Sequence, residues 1–579
     1  MGSRKEYRAI GEERMTRKII SIDLSRIVVS CTLIAFLIFV VLPSFYLISY
    51  VFLRWDEVWY EVFANPIIGD ENWRQIIKIL LFSFRLSLST VAFDLAFGIP
   101  LAYVLARKKF PGKSLLEDLV TLPLVIPTSG FGFATLITWT SSSGLGGLFG
   151  SAGLISMNTA IPLINVPFVL FIVHVALTFP YVVRTVETKI QSIEETYEIA
   201  SRTLGASSLT TFRRILLPLS MPGVFSGAVL AFARSLGETG ATLIVSGVST
   251  TASIAIVRWA SEFKLSTAAF MGSLLVLIAW MIILPAEIYV SKRRRFSRRQ
   301  LRIPISLSMK IVKFERFLSR KLSMVKDIVP LIIVVTVVVI PIAVVISSVT
   351  LYWSADPYTG RIEGGVIYQL FGPSRYFSLI INATLTSVIA AFISTYIAMC
   401  ISIPLSFIIE RRRYGRILRT ILKVPMIIPT SSLGLSVLLL WGPSGLGLVD
   451  SGIWMIILTH IVFSVPVIVE SIIAAYEGSG VQMYEETART LGANAYSAIE
   501  AVSLPLIKGG ILTGFILSFT HSLGETGATL IVMGRDATIP VLVVNMVEAL
   551  AIPAALFTST YLIILSLIML AIIRILTRR

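Results

Sequence analysis

Cysteine and histidine are nearly absent from this chain of 579 residues, which has two of the first and three of the second. Cys31 and Cys400 cannot build a disulfide framework and have no metal-ligand spacing. Both fall in apolar stretches and read as small buried hydrophobes. No carboxylate or cysteine lies at metal spacing from His174 or His460, so the sequence offers no metal site and both imidazoles read as internally satisfied. Charge is also scarce: 14% of residues are Asp, Glu, Lys or Arg, where a soluble domain has about a quarter. The net charge of +17 does not indicate nucleic-acid binding, because the basic residues sit in short clusters beside apolar runs with no soluble domain to carry them. A phosphate-binding loop is missing. Gly112-Lys113-Ser114 has Arg107 where that loop needs its first glycine, and Gly144-Leu145-Gly146-Gly147 has no strand before it or helix after it. No nucleophile–base motif and no cluster of His, Asp and Glu suggests a membrane enzyme.

What remains is apolar. Hydrophobic residues make up 55% of the chain and the mean hydropathy is +0.85, which indicates an all-α polytopic membrane protein. Residues 1–26 form a polar lead, and the first span is too long for a cleaved signal peptide. Apolar runs predict spans at about 27–53, 76–106, 115–139, 161–183, 222–245 and 268–290. A second set follows at about 328–351, 376–409, 418–441, 453–475, 509–533 and 554–575. Arg107, Lys108, Lys109 and Lys113, and then Arg411, Arg412, Arg413, Arg416 and Arg419, mark internal loops, so both termini are expected in the cytoplasm. The acidic loop at 54–75 is then external. The expected plan is twelve helices in two parallel six-helix repeats, 27–291 and 327–579, joined by a basic cytoplasmic linker at 292–326.

The repeat is explicit in the residues. Arg202-Thr203-Leu204-Gly205-Ala206, Leu217-Pro218 and Ser235-Leu236-Gly237-Glu238-Thr239-Gly240-Ala241-Thr242 recur as Arg489-Thr490-Leu491-Gly492-Ala493, Leu504-Pro505 and Ser522-Leu523-Gly524-Glu525-Thr526-Gly527-Ala528-Thr529. The register is constant, since 492 − 205, 505 − 218 and 525 − 238 all equal 287. Pro127-Thr128-Ser129 matches Pro429-Thr430-Ser431 at an offset of 302, whereas His174 matches His460 at 286, which places a deletion in the outer loop between them.

Each copy divides into two segments. The first, about 191–217 and 482–504, carries too many charges for a bilayer. It reads as helix, glycine turn, helix on the cytoplasmic face, with Pro218 stopping the second helix before the next span. The other segment puts Glu238 and Glu525 among hydroxyls in apolar spans, about twenty residues beyond Leu-Pro. Two readings stay open there: a structural role at a helix break, or a wall of the path and its gate formed by Ser235, Glu238, Thr239, Thr242, Ser522, Glu525, Thr526 and Thr529. Arg234 and His521 occupy equivalent positions, and Arg234 is placed to pair with Glu238 at i,i+4.

Glu486-Thr487-Ala488, Gly492, Val502 and Leu504-Pro505 resemble the coupling-loop signature of permeases in ABC importers. Ile199-Ala200-Ser201, Gly205, Ile215 and Leu217-Pro218 match it in the first half, except that Ile199 replaces the signature glutamate. The resemblance implies two cytosolic ATPase subunits seated on these loops, with ATP and magnesium held by those partners and no cofactor bound by this chain. It also implies an external solute-binding protein and a cell-membrane location. The departure at Ile199 implies unequal ATPase contacts. The wording at 233–243 is most similar to permeases for molybdate, tungstate and sulfate. Phosphate, iron(III) and thiamine are the alternative cargoes. A different class, an ion-coupled secondary transporter with Glu238 and Glu525 as proton carriers, is the rival function.

Overall fold

The computed structural model describes residues 26–65, 69–292, 315, 317 and 325–577. The polar lead and most of the basic linker lie outside the described residues.

Among the described residues, the main helices of the first repeat are α1 (Arg26–Leu53), α2 (Asn72–Arg107), α3 (Lys113–Thr121), α4 (Thr128–Thr140), α5 (Phe168–Gln191), α6 (Thr196–Thr203), α7 (Ser208–Gly237), α8 (Gly240–Val245), α9 (Ala252–Ser261) and α10 (Leu265–Lys292). The same order recurs in the second: α11 (Ile328–Leu351), α12 (Tyr376–Arg411), α13 (Gly415–Leu422), α14 (Thr430–Trp441), α15 (Ile453–Gly478), α16 (Val481–Thr490), α17 (Tyr496–Gly524), α18 (Gly527–Val532), α19 (Ile539–Glu548) and α20 (Ile552–Thr577). The fold is all-α and polytopic. Among the described residues, ten helices are long and apolar enough to cross a membrane, or up to twelve if each of two bent pairs counts as one span.

The bent pairs are the third span of each half. Lys113–Leu124 meets Thr128–Leu148 at 106°, and Gly415–Ile427 meets Thr430–Trp441 at 104°. The prolines at the breaks explain them: Pro127 and Pro429 lack a backbone donor and hold the residue before them extended. The expected deletion is also visible. The loop from α4 to α5 spans 27 residues (167 − 140) and contains a two-stranded hairpin, Ala160–Ile161 against Val166–Pro167. Its counterpart from α14 to α15 spans 11 residues (452 − 441). The difference equals 302 − 286.

Three expectations are corrected. The fifth span does not begin at 222 and run to 245. It begins at Ser208, inside the second coupling helix, and ends at Gly237. Pro218 does not stop that helix. A π turn at Phe212–Leu216, closed by the Leu217 N–H on the Phe212 carbonyl, widens the backbone just before the proline. The proline ring would otherwise press on the carbonyl four residues back. Ile499–Ser503 does the same before Pro505, as do Leu37–Val41 before Pro43 and Val335–Val339 before Pro341. Finally, Cys31 and Cys400 are exposed at the protein's outer surface, not buried. Where the surroundings are hydrocarbon, an outward apolar side chain has no reason to be covered.

Candidate coupling surface and central cavity

The coupling helices are shaped by their caps. α6 ends where Gly205 takes φ +84°, with the Ala206 N–H on the Ser201 carbonyl at 3.2 Å. α16 ends where Gly492 takes φ +97°, with the Ala493 N–H on the Ala488 carbonyl at 3.0 Å. Left-handed backbone at a helix end is the conformation that favours glycine. The next helix starts at once, capped by Ser207 Oγ, which accepts from Thr210 N at 3.2 Å, and by Asn494 Oδ1, which accepts from Ser497 N at 2.8 Å.

Ion pairs on two buried glutamates fasten these helices to the spans. Arg107, the last residue of α2, reaches Glu198 at 2.5 Å and donates to the Ile193 carbonyl at 2.7 Å. Arg411, the last residue of α12, reaches Glu485 at 2.5 Å. Glu485 also takes Arg489 at 2.6 Å and the Ser503 hydroxyl at 3.0 Å. The two glutamates are one repeat apart, 485 − 198 = 287. Sequence reasoning misses this clamp. The signal is the shared repeat register of Glu198 and Glu485, one position before the signature residues Ile199 and Glu486. In the first half, Glu315 from the linker adds a brace by accepting from Thr210 Oγ1 at 2.7 Å and pairing with Arg213.

With the inner face occupied by the clamp, the signature positions face out. Ile199 is exposed, and Glu486 is exposed with Gln482 donating to it at 3.0 Å. Ala200, Thr487 and Pro505 are exposed. Ser201 is half-buried against Thr211 at 3.0 Å, and Ile215, Leu217, Pro218, Ala488, Val502 and Leu504 are half-buried. The turn leucines are bare: Leu204 is 88% exposed and Leu491 84%. Bare leucines on two equivalent polar loops make a surface that suits a protein partner.

The Gly-Glu-Thr-Gly segment of each repeat sits at the centre. α7 ends at Gly237, Glu238 and Thr239 leave the helix, and α8 starts at Gly240. Glu238 is buried. One carboxylate oxygen accepts from Ala241 N at 3.0 Å and the other pairs with Arg234 at 2.5 Å, the expected i,i+4 contact. Glu525 is buried and accepts from Ala528 N at 3.1 Å, with His521 in the place of Arg234. Both glutamates thus cap the short helix beyond the break, where the helix dipole favours a negative charge.

The histidines hold the same break from the side. His174 Nδ1 bonds Ser235 Oγ at 2.8 Å and Nε2 bonds Thr242 Oγ1 at 3.1 Å. His460 bonds Ser522 at 2.5 Å and Thr529 at 3.0 Å. Each imidazole therefore joins the helix before the break to the helix after it.

The two breaks meet each other. A Cβ on Gly240 would stand 2.7 Å from Thr526 Cβ, and one on Gly527 would stand 2.7 Å from Thr239 Cβ. Gly237 approaches Pro429 and Gly524 approaches Pro127 in the same crossed fashion. Beside this contact lies a cavity lined by residues that include Arg234, Glu238, Thr239, His521 and Glu525. Of the residues expected to line a path, Glu238, Thr239 and Glu525 reach the cavity. Thr526 packs on Gly240, while Ser235, Thr242, Ser522 and Thr529 turn to the histidines.

Known proteins resemble this chain in sequence. A family described as the binding-protein-dependent transport system inner membrane component matches the chain twice, over residues 98–295 and 402–579. The molybdate/tungstate transport system permease protein WtpB of Pyrococcus abyssi is 32% identical over 215 residues, 36% of this chain and 79% of that protein. The molybdenum transport system permease protein ModB of Escherichia coli K12 is 36% identical over 181 residues, 31% of this chain and 73% of that protein. The sulfate transport system permease protein CysT of Salmonella typhimurium is 30% identical over 255 residues, 43% of this chain and 84% of that protein. Two matches in one chain, each continuous with one structural repeat, make this protein a fused double member of the family of inner membrane components of binding-protein-dependent, type I ABC importers.

Proposed function

We propose that this chain carries both halves of the path of an ATP-driven importer for a tetrahedral oxyanion of the molybdate, tungstate and sulfate class. Two cytosolic ATPase subunits bind at 191–217 and 482–504, and ATP and magnesium reside on those partners. The chain itself hydrolyses nothing. A solute-binding protein delivers the cargo to the opposite face, and both termini lie in the cytoplasm. The observation that carries this reading is the pair of outward coupling faces, each clamped from behind by an arginine on a buried glutamate. The cargo class rests on the relatives' names and on the Gly-Glu-Thr-Gly wording at 237–240 and 524–527.

Closure of the ATPases would push α6 and α16. Because α7 and α17 run unbroken from the coupling loops to the Gly-Glu-Thr-Gly breaks, displacement at one end reaches the other. The cross-packed glycines and threonines would then separate and open the centre.

The test is reconstitution. Proteoliposomes holding the chain and two ATPase subunits should take up radiolabelled molybdate or sulfate only with ATP inside the ATPase compartment and the binding protein on the other side. Excess phosphate, iron(III) or thiamine should not compete. Uptake driven by a pH gradient without any ATPase would reject this reading in favour of an ion-coupled transporter.

A further inference from the structure

Two large apolar residues stand in a backbone conformation that usually belongs to glycine. Phe263 has φ +59° and Leu550 has φ +57°. They are one repeat apart, 550 − 263 = 287. Each closes the C-terminus of a short helix. The Lys264 N–H reaches the Trp259 carbonyl at 2.8 Å beyond α9, and the Ala551 N–H reaches the Met546 carbonyl at 2.8 Å beyond α19. This is the cap that Gly205 and Gly492 make elsewhere in the chain, with the glycine replaced. Left-handed backbone is strained for a side chain of this size, and neither side chain recovers the strain by packing: Phe263 is 86% exposed and Leu550 80%.

Their position is informative. Thr267, at the start of α10, donates through its N–H and hydroxyl to Glu61 Oε2 at 3.2 and 3.1 Å, which ties this corner to the segment before α2. α2 ends at Arg107 on the coupling helices, so Phe263 lies on the opposite face. α9 is buried over Ala252–Ile256 and at Trp259, and packs on α14 and α18 of the other repeat. α19 packs on α4 and α8 in return. The two residues therefore emerge where the two repeats meet. Each helix also leads inward. Ser253 donates to the Leu236 carbonyl at 2.7 Å, one residue before the Gly-Glu-Thr-Gly break. Ala252 N and Ile539 N donate to Ser83 and Ser387 at 2.8 and 2.9 Å.

We infer that Phe263 and Leu550 are paired prongs that seat the solute-binding protein, with α9 and α19 carrying its arrival to the central breaks. The occupant follows from three observations: the family is binding-protein-dependent, the face is opposite the coupling loops, and the prongs come as a pseudo-two-fold pair. Binding proteins that close by a hinge present two domains, one for each prong. This inference rests on the proposed function.

The test uses the chain with its ATPase subunits in nanodiscs and, as probe, purified molybdate-loaded solute-binding protein from the same cell. In the double variant Phe263→Asn with Leu550→Asn, asparagine accepts the left-handed backbone and removes the apolar tip. The melting temperature should be equal or higher, and binding should weaken by about tenfold or more, as for the loss of anchor residues. The exchange Phe263→Leu with Leu550→Phe should retain binding. Binding of the asparagine variant within about twofold of the unsubstituted complex, far short of an anchor's loss, overturns the inference. If the unsubstituted complex binds no such protein, the proposed function fails first and this inference falls with it, before any substitution is made.

Discussion

Thr239 of the first repeat lies against the backbone of Gly527 in the second, and Thr526 lies against Gly240 in return. Neither contact is possible with a larger residue at the glycine. The centre of the molecule is thus closed by two small residues and two hydroxyl residues, each pair drawn from both repeats.

Gly240→Ala or Gly527→Ala should separate this contact. The added Cβ would stand 2.7 Å from a threonine Cβ of the other repeat, which cannot swing away as a long side chain would. Overpacking of this kind destabilises by about 1–3 kcal/mol. A lower melting temperature, with leak of small anions from proteoliposomes without ATP, is the expected result. Unchanged melting and tight vesicles would show that the contact is not the closure.

Arg107→Ala should loosen the first coupling helix more than Arg411→Ala loosens the second. Glu198 would lose its cation, whereas Glu485 would retain Arg489 and the Ser503 hydroxyl. Leaving a buried carboxylate unpaired costs about 3–5 kcal/mol. Hydrogen exchange over residues 196–203 and ATPase binding report the difference, and equal effects of the two substitutions would contradict it.

Gly205→Ala and Gly492→Ala should act through backbone alone. The positions have positive φ, and a Cβ there would meet nothing within 4 Å. The strain is about 1–2 kcal/mol at each site, and asparagine should be better tolerated than alanine. Coupled ATPase activity should fall in the order glycine, asparagine, alanine. A larger drop for asparagine than for alanine would indicate a steric contact in the docked complex instead.

Much of this is legible in one dimension. The duplication, the apolar runs and the glycine turns need only spacing and residue type. The clamp is not legible, because Arg107 and Glu198 are 91 residues apart and meet only when α2 and α5 pack side by side. The passage of α7 through Pro218 is hidden for another reason. Proline signals a stop, and only the π turn before it shows that the helix has already made room. Ser235 and Thr242 resemble path residues because they are polar in an apolar span. Their burial on His174 shows how the hydroxyls of a membrane helix are used when an imidazole is near.

His174→Phe and His460→Phe should separate structure from transport. Each imidazole satisfies two buried hydroxyls across a helix break, and an apolar ring would leave both without it. Thr242 and Thr529 keep their bonds to the Glu238 and Glu525 carbonyls, so the cost is that of the lost bonds, about 0.5–1.5 kcal/mol each. Thermal melting should drop, while His→Gln, with a donor and an acceptor, should recover some of the loss. Full stability of the phenylalanine variants would remove the histidines from the account.

The π turn before Pro218 has a mechanical consequence. The stiff helix beyond it, Leu217–Gly237, has 21 residues and a length of about 32 Å, whereas the stretch before it, Ser208–Thr211, has 4 residues and a length of about 6 Å. A pivot placed there divides the rod into arms of about one to five, given the same rise per residue on both sides. A tilt that shifts the coupling end by a fraction of an ångström sweeps the Gly237 end several times further. In the proposed function, a small stroke at the 191–217 loop is thus amplified toward Thr239, which covers Gly527 at the centre.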